Sequence, residues 1–224
     1  MSVLEDRPAP VTLPDEFVLL LHRADGGHRA GQADLLTSVA ELGELALRDR
    51  VEVAARTKLT VLDPRATGID WADELLGRLV RKAGPKNKPV ELTGLLPRRI
   101  GRFREHRELL TAQGLLRHQR RKLLGFIPDD LYFPVEPVRE ALVAEVREVA
   151  RRRRPVDGRC AVLCALAHSA GIGPALGCDA EELAMLESVW RGDGLGEAAR
   201  RPLAAVSSVT AVTVSAAATG AAGY

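Results

Sequence analysis

Apolar residues recur with helical spacing along most of the chain. Between positions 33 and 48 they fall at Leu35, Val39, Leu42 and Ala46, with Leu36, Ala40 and Leu47 beside them. That pattern returns to one face at every turn and predicts a helix with a broad buried stripe. Upstream, Thr12 and Asp15 stand at capping-box spacing with Pro14 between them, ahead of Phe17-Val18-Leu19-Leu20-Leu21. This predicts a short, buried helix. Further helices are expected over 67–80, 98–113, 136–154, 157–170, 179–190 and 203–218. Period-two patterning appears twice. Arg50-Val51-Glu52-Val53 and Lys58-Leu59-Thr60-Val61-Leu62 read as a hairpin that Asp63-Pro64 terminates. Residues 115–133 read as a second ribbon, set off from the helix before it by Gly114 and turning near Pro128-Asp129-Asp130. The expected fold is mainly α, a single helical domain with two small β-hairpins, one basic with an apolar tip. It should occupy 12–218, between a disordered arm (1–11) and a frayed end (219–224).

Charge sharpens this outline at one place. Lys and Arg number 32 against 30 Asp and Glu, so the chain is no bulk polycation and anion binding must come from local clustering. The clustering is in the helix and ribbon around 98–127. Arg98, Arg99, Arg102, Arg104 and Arg107 are offset within the helix only by Glu105 and Glu108. Arg117, Arg120, Arg121 and Lys122 then lead into Leu123-Leu124-Gly125-Phe126-Ile127. The guanidinium fork suits phosphate because it donates two hydrogen bonds at once. Two partners fit. A membrane surface would use Arg98, Arg99 and Arg102 on headgroups, Arg120, Arg121 and Lys122 for electrostatic attraction, and Leu123, Leu124 and Phe126 for insertion or oligomerisation. A nucleic acid would use the helix and ribbon as a winged-helix-like pair. Glu105, Glu108, the scarcity of Asn and Gln, and the apolar tip weigh against the second.

Other chemistry is sparse. Cys160, Cys164 and Cys178 form no CxxC pair, and MSVLEDRPAP lacks an apolar signal region, so a reducing cytoplasm is expected. Cys160, Cys164 and His168 repeat every four residues, but a helix separates the outer two by roughly 12 Å. Zinc bonds of about 2.0 to 2.3 Å do not span that gap, and no metal is expected. The chain lacks GxGxxG, P-loop, GxSxG and HExxH patterns, so neither enzyme nor cofactor is expected. The tail from 202 onward has no charge, yet its Ala, Ser, Thr and Gly give little insertion energy.

Several segments, taken in order, resemble the Golgi phosphoprotein 3 family (GPP34 domain). They are Leu13-Pro14-Asp15-Glu16-Phe17-Val18-Leu19-Leu20-Leu21, Glu44-Leu45-Ala46-Leu47-Arg48-Asp49-Arg50-Val51, Ala66-Thr67-Gly68-Ile69-Asp70 with Asp73-Glu74-Leu75-Leu76, Gln113-Gly114-Leu115-Leu116, and Asp157-Gly158-Arg159 through Leu166-Ala167-His168-Ser169. The resemblance implies a mostly helical domain that docks peripherally on membranes from the cytoplasmic side. Eukaryotic members bind phosphatidylinositol 4-phosphate and the cytosolic tails of Golgi glycosyltransferases. A hairpin with an apolar tip aids membrane contact and oligomerisation in the family, and here it falls within 117–133. The implied partners are an anionic membrane lipid, a second copy of the chain and a protein client. The family's headgroup site uses a Trp, an Arg nine residues later and two Arg three apart. Arg99 and Arg102 match the last pair with a one-residue shift, whereas Arg29 and Ser38 stand where the Trp and first Arg should be.

Overall fold

The computed structural model describes residues 11–29, 31–54, 57–96, 99–123 and 127–220. Its elements in chain order are α1 (Leu13–Leu21), α2 (Ala33–Leu47), β1 (Val51–Ala54), β2 (Lys58–Val61), α3 (Asp70–Ala83), β3 (Val90–Glu91), α4 (Arg102–Ala112), β4 (Leu116–Leu123), β5 (Ile127–Pro134), α5 (Glu136–Ala150), α6 (Gly158–Ser169), α7 (Ala180–Arg191) and α8 (Glu197–Gly220). A 3₁₀ turn, Gly173–Leu176, joins α6 to α7. The fold is mainly α, with small antiparallel sheets of three and two strands.

Helix α6 is the centre. Residues Cys160 through Ala167 are all buried, and a helix apolar on every side is stable only when surrounded. Helices α1, α2, α5, α7 and α8 pack around it. Its N-terminus is capped by Asp157, whose Oδ1 accepts the Cys160 amide at 2.8 Å. Gly43 sets the approach of α2, since a Cβ there would lie 2.9 Å from Val162 Cγ1 and 3.1 Å from Leu13 Cδ2. The α1 capping box forms as expected. Asp15 Oδ2 accepts the Thr12 amide at 2.9 Å and the Thr12 hydroxyl at 2.5 Å.

Four local expectations change. The first hairpin gains a third strand, because Leu59 pairs with Val90 and Lys58 with Glu91. Helix α4 begins at Arg102 rather than 98, after Gly101 adopts a left-handed φ of 89°. Helix α8 starts earlier than expected and runs through Pro202. The Ala198 carbonyl, which a proline at 202 cannot bond, faces Gly158, 3.2 Å from where a Cβ would stand. The second ribbon does not turn at Pro128-Asp129-Asp130. Lys122 pairs with Pro128, Arg121 with Asp129 and Leu123 with Ile127, so those residues lie in β5. A two-stranded ribbon has open edges on both sides and tolerates a proline that donates no ladder hydrogen bond. Leu124, Gly125 and Phe126, assigned above to insertion or to the tip, lie outside the described residues, as does Arg98.

Candidate functional site

The basic helix and ribbon divide into an interior half and an exterior half. Glu41 sits on the buried face of α2, with Ser38, Leu42 and Leu45 around it, and is fully enclosed. Three cations converge on it. Arg99 Nη2 donates to Oε2 at 2.5 Å. Arg102 Nε lies 3.2 Å from Oε1. His106 Nε2 is 3.2 Å from the same oxygen, while its Nδ1 is 2.7 Å from Asp15 Oδ1 on α1. A histidine donates from both ring nitrogens only as imidazolium, so two flanking carboxylates hold the ring charged. Burial by itself pulls the His106 pKa down; the hydrogen bonds it donates to Asp15 and Glu41 outweigh this and the value is raised. Trp71 of α3 closes the node edge-on, its ring centroid 5.3 Å from that of His106. A buried charge needs such partners, because an unpaired one is strongly destabilising.

Arg99 and Arg102, expected together with Arg98 on headgroups, therefore lie inside the fold. Arg99 and Arg102 are 4 % and 5 % exposed, and both already hold carboxylates. Arg102 also pairs with Glu105 and lies 3.9 Å from Glu74. It lines the larger cavity of this region, about 580 Å³, whose rim carries Asp70, Glu74, Glu105 and Glu108. That cavity has the wrong sign for a phosphate. Arg107 is used internally too, with its guanidinium 4.8 Å from the Phe103 ring centre and 4.2 Å from that of Tyr132. The positions that correspond to the family's Trp and Arg give no headgroup ligand of that kind. Ser38 is buried and donates to the Asp34 carbonyl at 2.9 Å.

The ribbon is the exterior half. Arg117, Arg120, Arg121 and Lys122 are exposed along β4. Alternation puts Arg120 and Lys122 on one face and Arg117 and Arg121 on the other. On the first face Asp130, beside Arg120 in register, accepts from His118 Nε2 at 2.9 Å and lies 3.5 Å from Arg120 Nε. The Asp130 pKa is lowered by its hydrogen bond with His118. Arg120 keeps 76 % of its side chain exposed. The root of the ribbon is fixed. Tyr132 N donates to Gly26 O at 2.9 Å, and a Cβ at Gly26 would lie 2.9 Å from Leu131 Cβ. His118 stacks on Tyr132 at 4.6 Å, and Arg117 lies over Phe133 at 4.8 Å.

Sequence reasoning found the cations and missed the acids that consume them. Glu41, set between Ala40 and Leu42 on a helix that is buried nearly all round, carried the signal, since an acid there must have a cationic partner. The Cys160–Cys164–His168 stripe is a helix face. All three cysteines are free and buried, and no cluster of potential metal ligands occurs among the described residues.

Fold and site together define a helical domain that presents a basic two-stranded ribbon beside a charge-locked helix. No helix among its described residues is long and apolar enough to cross a membrane. The chain belongs to the Golgi phosphoprotein 3 (GPP34) family, whose model matches residues 13–206. That family is non-enzymatic and comprises lipid-binding and adaptor proteins. No curated protein matches the chain.

Proposed function

We propose that the protein binds anionic phospholipid headgroups as a peripheral membrane protein on the cytoplasmic side, with phosphatidylinositol 4-phosphate as the family's lipid. The observation that carries this reading is the solvent-facing basic strand Arg117–Lys122 on a domain of this family. Each cation near an anionic leaflet contributes about 1 kcal/mol. Arg120 is partly offset by Asp130. Self-association through the 117–133 hairpin and recruitment of a protein client belong to the same reading.

Flotation with phosphatidylcholine vesicles, alone or doped with phosphatidylserine or phosphatidylinositol 4-phosphate, tests it. Binding should require the anionic lipid and fall as salt rises. The double substitution Arg117→Glu/Lys122→Glu should weaken it by more than tenfold. Absence of binding to every anionic vesicle at low salt refutes the reading. Tight, steeply salt-dependent retention of duplex DNA without vesicle binding would replace it with the nucleic-acid alternative.

A further inference from the structure

His22 ends α1 in an extended conformation, φ −78° and ψ 147°, and pairs with His28 in an isolated antiparallel bridge. Two hydrogen bonds flank the pair, Arg29 N to Leu21 O at 3.1 Å and Arg23 N to Gly27 O at 2.9 Å. They join the chain neighbours of the histidines, so His22 and His28 face each other without backbone hydrogen bonds between them. At such a position the Cα atoms stand about 4.5 Å apart and both side chains leave on one face. The two ring centres are 6.3 Å apart, with their planes at 53°.

His22 is 1 % exposed. Its Nδ1 lies 2.8 Å from Val18 O. A carbonyl only accepts, so Nδ1 carries the proton and Nε2 the lone pair. That buried lone pair has no hydrogen-bond partner among the described residues, which costs free energy comparable to a lost hydrogen bond. A ring N–H held by a backbone carbonyl, with the opposite nitrogen bare, is how proteins orient a histidine toward a metal ion. Phe103 and Tyr132 fix the His22 ring further, the first stacked at 5.5 Å and the second edge-on at 6.1 Å. His28 brings a second imidazole from the solvent side, where it is exposed.

The separation suits one ion. A metal–nitrogen bond of about 2.0–2.1 Å puts the ion about 3.2 Å from the centre of each imidazole. It then spans ring centres up to about 6.4 Å apart in a straight line, or about 5.2 Å at the tetrahedral angle. The observed 6.3 Å lies inside the first limit, and a rotamer adjustment of exposed His28 by about 1 Å reaches the second.

Both rings are also in ligand form at neutral pH, since a metal requires unprotonated imidazole. Burial, reinforced by the charges of His28, Arg107 and Arg139, lowers the His22 pKa to about 4 against the hydrogen bond to Val18. Burial and Arg107 lower that of His28. Arg107 repels a dication too, so affinity falls below that of a centre with three or four protein ligands. No group of three potential ligands occurs among the described residues, and water completes the coordination. Imidazole nitrogen selects zinc, copper and nickel over magnesium and calcium, which prefer oxygen.

We propose that His22 and His28 form a two-histidine zinc site that staples the end of α1 to the Arg23–Gly27 loop. That loop holds Gly26, whose carbonyl accepts the Tyr132 amide at 2.9 Å. The ion therefore tightens the seat of the ribbon. The site is independent of the membrane reading above.

The test uses the full chain without a histidine tag, as wild type, His28→Ala and, for the other exposed histidine on the ribbon, His118→Ala. Both substituted side chains are exposed, so the fold is expected to persist, and circular dichroism verifies it. Buried His22 stays intact. Zinc chloride is titrated by calorimetry in a non-chelating buffer at pH 7.5, and thermal unfolding is followed with and without zinc. X-ray absorption at the zinc edge counts imidazole and sulfur neighbours.

Wild type should bind one zinc per chain, unaffected by excess magnesium or calcium, and its Tm should rise with zinc. His28→Ala should weaken binding by at least tenfold and lose the Tm rise. His118→Ala should match wild type. The absorption spectrum should show two imidazoles and no sulfur. No zinc binding by wild type, or binding that His28→Ala leaves unchanged, overturns the site. Loss in His118→Ala with His28→Ala unaffected moves the ion to the ribbon and overturns it as well. A single imidazole in the spectrum overturns the part of His22, and sulfur neighbours overturn the assignment in favour of the thiols.

Discussion

His106→Gln offers the sharpest test of the interior. The substitution removes the cation between Asp15 and Glu41 and keeps a side chain able to bond one of them. Glu41 would retain Arg99 and Arg102. Asp15 would retain only the Thr12 amide and hydroxyl. The loss should therefore fall at the low end for removing one member of a buried ion pair, about 3 kcal/mol. For a chain of this size that corresponds to a fall of about 6–12 °C in Tm. The pH dependence is the diagnostic part. The folded-state pKa of His106 is raised above its unfolded value of about 6.5. Its contribution is thus complete below pH 6.5 and declines as pH climbs through the folded value. Glu16 complicates the wild-type profile, because burial raises its pKa to about 7 and lowers stability over part of the same range. Subtracting the His106→Gln profile cancels that effect, since both proteins carry Glu16. Urea unfolding from pH 5.5 to 9 should show a stability gap that is widest at acid pH and shrinks toward pH 9. A constant gap, or one that grows with pH, would refute the charged-histidine arrangement.

Two further outcomes follow from the packing. Gly43→Val should destabilise the fold by about 2 kcal/mol, because even its Cβ meets Val162 and Leu13 at 2.9 and 3.1 Å; unchanged urea unfolding would show that α2 and α6 shift apart at little cost. The thiols should resist iodoacetamide at pH 8 until the protein unfolds, since burial pushes the Cys160 pKa up to about 12 and raises those of Cys164 and Cys178. Alkylation of native protein at the rate of a free thiol, read by mass spectrometry, would contradict that burial.

How much of this was legible in the chain depends on how far apart the deciding residues lie. Helix α2 announced itself through local spacing, and α1 through Thr12 and Asp15 three residues apart. The basic ribbon was equally local. The fate of Arg99 was not, because its partner Glu41 is 58 residues away in sequence, and periodicity holds no record of such a pairing. The ribbon turn failed for a related reason. Pro128-Asp129-Asp130 has strong turn chemistry, but register is set at the other end, where Tyr132 and Leu131 seat against Gly26. The histidine pair was hidden because His22 and His28 stand in no ligand motif, and only the bridge between them sets the two side chains opposite.

The fixed root of the ribbon has a mechanical consequence. Its strands are eight residues each, so the ribbon is a cantilever about 26 Å long, clamped at Gly26 and the Arg107–Tyr132 contact. Load applied at its free end arrives as torque on α4, the helix that Asp15 and Glu41 bolt to α1 and α2. The body then has little freedom to swivel relative to whatever surface the ribbon meets, and its standoff and tilt are dictated by the clamp.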